Sequence, residues 1–406
     1  MAETKNLMFS LHLAGNLCPD FYPYELFLEE GISTVYKAEL TILTDTLHTR
    51  EDLLDLLDKA ATITVFQNLD GALKRSRFLH GIVTGVKNRG VFSNGKEKDC
   101  YSHVLTIESC LARLRYNRAT APYYRISPVE AIREILKKNQ LGADDITYLE
   151  RTAYSKHLLF EQQETSDLEF IQGLLYLYGL SYTFCQPAPS GNGGLGQAEL
   201  YLSGGKRYPA PGAVYSDKRK IPDTLQFDFL RSDEPGNIWK MDAWSMADRI
   251  GTDGLEVNAS YPDANHGSPN WRAGETGPLK RYFAYNRLFH GYERNTPTAE
   301  IDDDIMLILD ARRRTLELSK SVWTGEAANL LLQPGAILEL AHFYGKNNNT
   351  RIKARITASR LHCRTSWPQT LAVPPEGAAG ETLNTAVTCM NYGGGNDREK
   401  RFCGER

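Results

Sequence analysis

The sequence predicts a mainly β protein interrupted by a small α+β insertion. Long stretches alternate apolar and polar residues with the two-residue period of strands. Glycine is abundant, at 33 of 406 residues, and aromatics make up 10%, which suits packed strands joined by many turns. Two capping-box signatures, Ser127 with Glu130 and Ser166 with Glu169, fall within one block, residues 116–186.

Residues 1–115 read mostly as strands. Ser33–Leu43 puts Val35, Lys37, Glu39, Thr41 and Leu43 on one face and Tyr36, Ala38, Leu40 and Ile42 on the other, as in a strand with one packed face. A short helix, Arg50–Leu57, precedes a second strand, Ala61–Gln67. Arg77–Thr84 is a third strand. Tyr101–Glu108 alternates again and runs into Leu111 and Leu114.

In block 116–186, Pro128 takes the first helical position, where its missing N–H costs nothing, and Val129, Ile132 and Leu136 form the buried stripe. Tyr148–Tyr154 reads as a strand. After it, Ser166 and Glu169 open a helix whose Phe170, Ile171, Leu174, Leu175 and Tyr178 recur on one face. Gly179 stands where a left-handed cap ends a helix, and Leu180–Phe184 alternates like a half-buried strand.

Residues 187–215 form a loop-rich connector holding one strand, Ala198–Leu202. Gly191, Gly193 and Gly196 match the spacing of a dinucleotide-binding loop, but Pro187 and Pro189 precede them and a strand follows, so a solvated hairpin loop is expected. Residues 216–363 return to strands, Thr224–Leu230 and Ile238–Trp244, and include a long helix near 299–320. Ile301, Ile305, Ile308, Leu309 and Leu316 line its core side. Asp302, Asp303 and Asp304 are expected in the first turn and Arg312, Arg313 and Arg314 late, complementing the helix dipole. Residues 364–406, rich in Pro, Gly and Thr, read as an irregular tail.

Composition excludes several classes. Lys+Arg 47 against Asp+Glu 50 leaves a net charge of −3, with no electrostatic footprint for nucleic acid or an anionic membrane. No apolar run reaches the length of a membrane span, so no membrane anchor is expected, and the N-terminus lacks a signal-peptide layout. Synthesis and assembly in the cytoplasm follow, without export by the ordinary secretory route. Seven scattered cysteines make reduced thiols the default.

No catalytic, cofactor-binding or metal site is assigned. His80 and His103 lie in predicted strands, as core or interface imidazoles. His362, Cys363, Cys389 and Cys403 fit no compact zinc spacing. The acidic triplet 302–304 suits a helix N-terminus without a metal, and Asp167 stabilises a first turn. Trp239, Trp244 and Trp271 suit packing or a subunit interface, with glycan binding as the alternative.

The chain also echoes itself. Leu56–Ile63 and Leu331–Leu338 each open an alternating strand followed by a polar turn, and the second strands, Gly81–Thr84 and Ala354–Thr357, come at similar spacing. This is the layout of a duplicated β-domain.

Gln163, Ser166, Asp167, Phe170, Leu174, Gly179, Tyr182 and Phe184 together resemble a segment of VgrG spike proteins and contractile phage-tail baseplate hub proteins. Thr165 departs from that family, which carries Glu two residues before the Asp. The Arg77–Thr84 strand, the Ser127–Glu130 helix start, Trp323–Asn329 with Pro334-Gly335, and Arg355–His362 resemble the same family, so the likeness spans about residues 25–363. It implies two related β-barrel (tube) domains, 1–115 and 216–363, flanking a small α+β domain, without the oligosaccharide-binding-type barrel and β-helical needle of complete spikes. It also implies a non-enzymatic structural hub of a type VI secretion system. Such a hub is a homotrimer that joins a hexameric tail-tube protein to the puncturing spike, alongside baseplate proteins and a separate spike-tip protein or effector. The alternatives are a phage-tail baseplate or late-control protein, a tail-associated glycan hydrolase or glycan-binding β-protein, and a monomeric binding module.

Overall fold

A computed structural model describes residues 7–15, 20–70, 73–92, 99–141, 146–148, 154–189, 194–204, 208–209, 214–215, 224–228, 238–248, 254–258, 270–274, 280–283, 296–341, 351–366 and 380–391. The chain is mainly β with an α+β insertion.

The N-terminal β-region contains β1 (Leu7–Leu13), β2 (Tyr22–Gly31), β3 (Lys37–Thr44), helix α1 (Arg50–Leu54), β4 (Ala60–Asp70), β5 (Leu73–Phe92) and β6 (Cys100–Glu108). Their ladder order is β1-β4-β5-β6-β3-β2, antiparallel throughout. Leu26, Leu28, Leu40, Ile42, Ile63 and Leu105 meet in its core. The strand expected from Ser33 begins only at Lys37. Ser33 has φ +58°, and its amide is drawn to the carbonyl of Tyr182 at 2.7 Å, which keeps it out of the ladder.

The insertion comprises β7 (Arg118–Ile126), α2 (Pro128–Lys138), β8 (Ile146–Tyr148), β9 (His157–Ser166), α3 (Asp167–Leu177), β10 (Ser181–Cys185) and β11 (Glu199–Ser203). Both capping boxes form as expected. Gly179 has φ +64°, and the Leu180 amide returns to the carbonyl of Leu175 at 2.8 Å, closing α3. Two readings need correction. β7 and β9, missed in the sequence, pair across the intervening α2 and β8 as a two-stranded antiparallel ribbon that the polar sequence hides, because its exposed face carries Thr120, Pro122 and Glu161. Phe170 lies at the edge of the α3 core, half-buried against Tyr123, and Leu168 takes the interior place beside Ile171, Leu174 and Leu175.

The C-terminal β-region holds β12 (Val214–Tyr215), β13 (Thr224–Asp228), β14 (Ile238–Lys240), β15 (Ala243–Asp248), β16 (Gly254–Asn258), β17 (Asn270–Gly274), β18 (Lys280–Phe283), α4 (Thr298–Leu318), β19 (Ser321–Ala327), β20 (Ile337–Ala341), β21 (Ile352–Arg364) and β22 (Thr382–Asn391). The expected strand Ile238–Trp244 breaks at Asp242, whose amide bonds the Glu326 carbonyl at 2.8 Å. The stretch read as an irregular tail supplies β22, which lies between β19 and β21. Its alternation is real, since Leu383, Thr385, Val387 and Cys389 are all buried, but Pro- and Gly-rich flanks obscure it. The buried face of α4, Ile301, Ile305, Ile308 and Leu309, belongs to the same core as α2 and α3; because α4 begins at Thr298, its first turn holds Glu300 rather than Asp302–Asp304 and its last turn carries no basic residue, so the expected dipole pairing is not made.

The two β-regions repeat one plan. The order β1-β4-β5-β6-β3-β2 recurs as β13-β20-β21-β22-β19-β15. The hydrogen bonds agree in detail. Asp58 N–H reaches Val83 O at 2.8 Å and Val83 N–H reaches Lys59 O at 2.9 Å; Gly335 N–H reaches Ile356 O at 2.8 Å and Ile356 N–H reaches Ala336 O at 2.9 Å. Asp58 and Gly335 both have positive φ, +64° and +93°. A bulge follows at the matching place, between Val83 and Gly85 and between Ile356 and Ala358. The echo's second strands therefore align as the sequence suggests, whereas the first pair is displaced by two residues, with Asp58 answering Gly335. One difference stands: β1 is antiparallel to β4, but β13 is parallel to β20.

Candidate functional site: the joint between the two β-domains

The two β-regions join edge to edge. β2 pairs antiparallel with β21 from Glu25 opposite Arg364 to Gly31 opposite Ala358, so one sheet runs through both. On its outer face, Phe27 stacks on His362 at 4.1 Å, and His362 Nε2 lies 3.0 Å from Glu25 Oε1. The Arg360–Glu29 pair at 3.0 Å is largely exposed and adds little to stability.

The inner face is different. Arg77, 3% exposed, donates to Glu30 Oε1, which also accepts from Ser359 Oγ at 2.8 Å. A second Arg77 nitrogen reaches the Leu330 carbonyl at 3.3 Å. Arg75, buried beside it, donates to Asn329 Oδ1 at 3.0 Å. Asn329 Oδ1 also accepts the Leu331 amide at 2.8 Å, and the Asn329 carbonyl accepts Thr385 Oγ1 at 2.8 Å. Two arginines of β5 thus hold the turn before β20 and the end of β2, and their partners Glu30 and Asn329 bond on to Ser359 of β21 and Thr385 of β22. Such a buried pair is weak evidence of net stabilisation, but removing one partner leaves the other charge stranded. The sequence placed Arg77 in a strand motif and gave no sign that its charge is buried.

His80 forms a second anchor on β5. Its Nε2–H donates to the Pro187 carbonyl at 2.7 Å, so in the neutral ring Nδ1 accepts from Thr62 Oγ1 at 3.1 Å; Thr62 Oγ1 in turn accepts the Gly196 amide at 2.9 Å. Burial pushes the His80 imidazole below its ordinary value, which favours this neutral arrangement. A Cβ on Gly196 would stand 2.1 Å from the ring. The last glycine of the Gly-rich stretch is therefore there for close approach to a histidine. Residues 190–193, with Gly191 and Gly193, lie outside the described set.

At the start of α3, Asp167 is fully buried. Its Oδ2 accepts from Asn117 at 2.9 Å and Asn139 at 2.7 Å, and its Oδ1 from Gln162 at 2.8 Å. Its role is wider than stabilising a first turn: it ties β7, α2 and β9 together. The motif glutamine needs correction as well. Gln163 is exposed and bonds Glu161, whereas Gln162 is the buried one.

The remaining candidates are not brought together. Cys363 and Cys389 lie in different cores, His362 pairs with Glu25, and Cys403 lies outside the described residues. Asp304 turns inward to accept the Ser155 amide at 3.0 Å, while Asp303 faces solvent. His103 is buried on β6, and burial followed by nearby His48 lowers its pKa. Trp244 packs edge-on against Trp323 at 5.5 Å; the side chains of Trp239 and Trp271 lie outside the described set. Among the described residues, no group of three or more His, Cys, Asp or Glu side chains is placed to hold a metal, and no helix is long and apolar enough to cross a membrane.

Residues 29–202, covering β2 through most of β11, match the phage tail baseplate hub (GPD) family. Residues 29–202 therefore carry a phage-tail baseplate hub domain. No curated protein matches the sequence. Among solved structures, the hub fold is shared with an Escherichia coli type VI secretion component, itself described as similar to the T4 bacteriophage tail proteins gp27 and gp5. That match has 15% identity and a TM-score of 0.58, over 95% of this chain and 77% of the other. A Neisseria meningitidis MC58 tail protein follows at 10% identity and TM-score 0.57, covering 95% and 97%. A Francisella PdpA–VgrG complex gives 10% and 0.51, covering 97% of this chain and 59% of that one. The hub domain takes in both β5 anchors, Arg77 and His80, and the Asp167 node.

Proposed function

We propose that this chain is the structural hub of a contractile injection apparatus, acting by shape rather than by catalysis. Three copies would form a ring that receives a sixfold tail tube on one face and a spike on the other. The supporting observation is the repeated strand plan joined through β2 and β21. Two equivalent β-domains in each of three chains offer six equivalent patches, which lets a trimer dock on a hexamer. The domain limits 1–115, 116–186, 187–215 and 216–363 belong to this proposal, with β22 added to the last domain. Baseplate proteins and a separate spike-tip protein or effector are the partners it requires. Whether the machine is a secretion system or a phage tail, the hub's task is the same. Sedimentation equilibrium with negative-stain microscopy tests it: a three-chain ring is expected, and a chain that stays monomeric at tens of micromolar overturns it.

A further inference from the structure

The loop of the β10–β11 hairpin is fastened to the N-terminal β-region on both of its described sides. On the β10 side, Gln186 Oε1 accepts the His80 amide at 3.0 Å and the Pro187 carbonyl accepts His80 Nε2–H at 2.7 Å. On the β11 side, the Gly196 amide donates to Thr62 Oγ1 at 2.9 Å. Thr62 of β4 and His80 of β5 are opposed in the ladder and are 0% and 1% exposed. One buried imidazole therefore sits at the centre of the fastening.

That fastening has no spare valence. In the neutral ring Nε2–H is given to Pro187, Nδ1 takes the Thr62 hydroxyl proton at 3.1 Å, and Thr62 Oγ1 receives Gly196. A second ring proton belongs on Nδ1, where the Thr62 proton already lies, so one of the two must be displaced. The surrounding groups supply no counter-charge. Phe78 of β5 lies parallel to the ring at 6.4 Å. Tyr36 of β3 donates its hydroxyl to the His80 carbonyl, and burial pushes its pKa up. Cys185, next to Gln186, has its thiol pushed up to about 11. Glu108 of β6 spends its carboxylate on Thr84 and Arg115. His12 of β1 stands opposite Thr62 in the ladder. Burial lowers the His80 pKa against the opposing pull of the Pro187 carbonyl. Charging the ring in place costs free energy that opening avoids, because an open imidazolium is solvated by water.

We propose that His80 is a pH-operated latch, holding the β10–β11 loop against β4 and β5 while its ring is neutral and letting go when the ring takes a second proton. Release frees Pro187 and Gly196 and bares the Thr62–His80 row, while the Ser33 amide, bonded to the Tyr182 carbonyl at 2.7 Å, still ties the insertion to the N-terminal β-region. The latched form binds fewer protons than the open form, so opening becomes easier as pH falls. The gain is about tenfold per pH unit below about 6.5, ending where the latched ring itself titrates. The latch is a property of the single chain and does not depend on the hub reading above.

Hydrogen exchange of the full-length chain, corrected for the intrinsic pH dependence of amides, tests it through the peptide that carries Gly196, with β6 as the internal reference. Between about pH 7.5 and about pH 5.5, opening of the Gly196 peptide should rise toward about tenfold while β6 stays protected. His80→Gln keeps an N–H for Pro187 and cannot charge, so its opening should change by under about twofold over the same range. Gly196→Ala, whose Cβ stands 2.1 Å from the His80 ring, should open the loop already at neutral pH and remove most of the further rise. His12→Asn should leave the wild-type response in place. A wild-type rise under about twofold overturns the latch, as does an undiminished rise in His80→Gln or its loss in His12→Asn. Loss of β6 protection together with the loop marks general unfolding and overturns it too.

Discussion

Arg312 of α4 caps the end of α3 at Tyr176, donating to the Tyr176 carbonyl at 3.0 Å while its guanidinium lies 5.0 Å over the Tyr176 ring. The Leu177 carbonyl accepts from the same nitrogen at 3.2 Å. The last carbonyls of a helix lack intrahelical partners, and a buried cation aligned with the dipole satisfies them. Arg312→Ala should therefore cost about 2 kcal/mol in urea unfolding. Arg360→Ala, whose pair with Glu29 is largely exposed, should cost under about 0.5 kcal/mol.

The joint between the β-domains makes a sharper prediction. Arg77→Met leaves the largely covered Glu30 carboxylate without its cation, held only by Ser359, and should cost about 3 kcal/mol. Adding Glu30→Leu should recover most of that loss, because a buried pair replaced by apolar groups is often neutral. Calorimetry of the two single variants and the double variant measures the coupling. Additive losses would mean the two residues do not act together.

Core position, rather than side-chain size, should rank variants of α3. Ile171 is buried, so Ile171→Ala should cost about 2–4 kcal/mol. Phe170→Ala, at the rim against Tyr123, should cost about 1–2 kcal/mol despite removing more atoms.

His157 gives a pH dependence. It is buried against Tyr178, whose hydroxyl lies 2.8 Å from Nε2, and burial pushes its pKa down to about 4. A histidine folded in its neutral form binds fewer protons than the unfolded chain between its two pKa values, so its contribution is constant above about pH 6.5. Stability should fall by about 3 kcal/mol as pH drops toward about 4, then level off. His157→Gln should remove that portion of the curve, seen as a difference between two denaturation series across pH.

The periodic elements were legible in the sequence. Capping boxes at Ser127 and Ser166 and the glycine stop at 179 are local signals, and the structure reproduces them; β3 and β6 form where strands are expected, but both faces of each are largely buried, so their alternation does not mark one packed face. What was hidden depends on partners distant in the chain. Arg77 looks like a surface residue until Glu30 and Ser359 arrive from β2 and β21, and Gly196 looks like loop chemistry until it meets His80. Gln162 and Gln163 cannot be told apart by type, only by which one faces Asp167. β22 shows that a regular two-residue alternation is easily discounted between irregular flanks.

The β2–β21 pairing also sets a timetable. Phe27 leaves the ribosome long before His362, its stacking partner, is made. At typical elongation rates the interval is roughly 20–70 s, ample for nearby nascent chains to meet. Throughout that wait β2 has an unclaimed backbone edge, so a translating polysome is where this protein is most exposed to mispairing, and where a chaperone that shields one strand would do the most good.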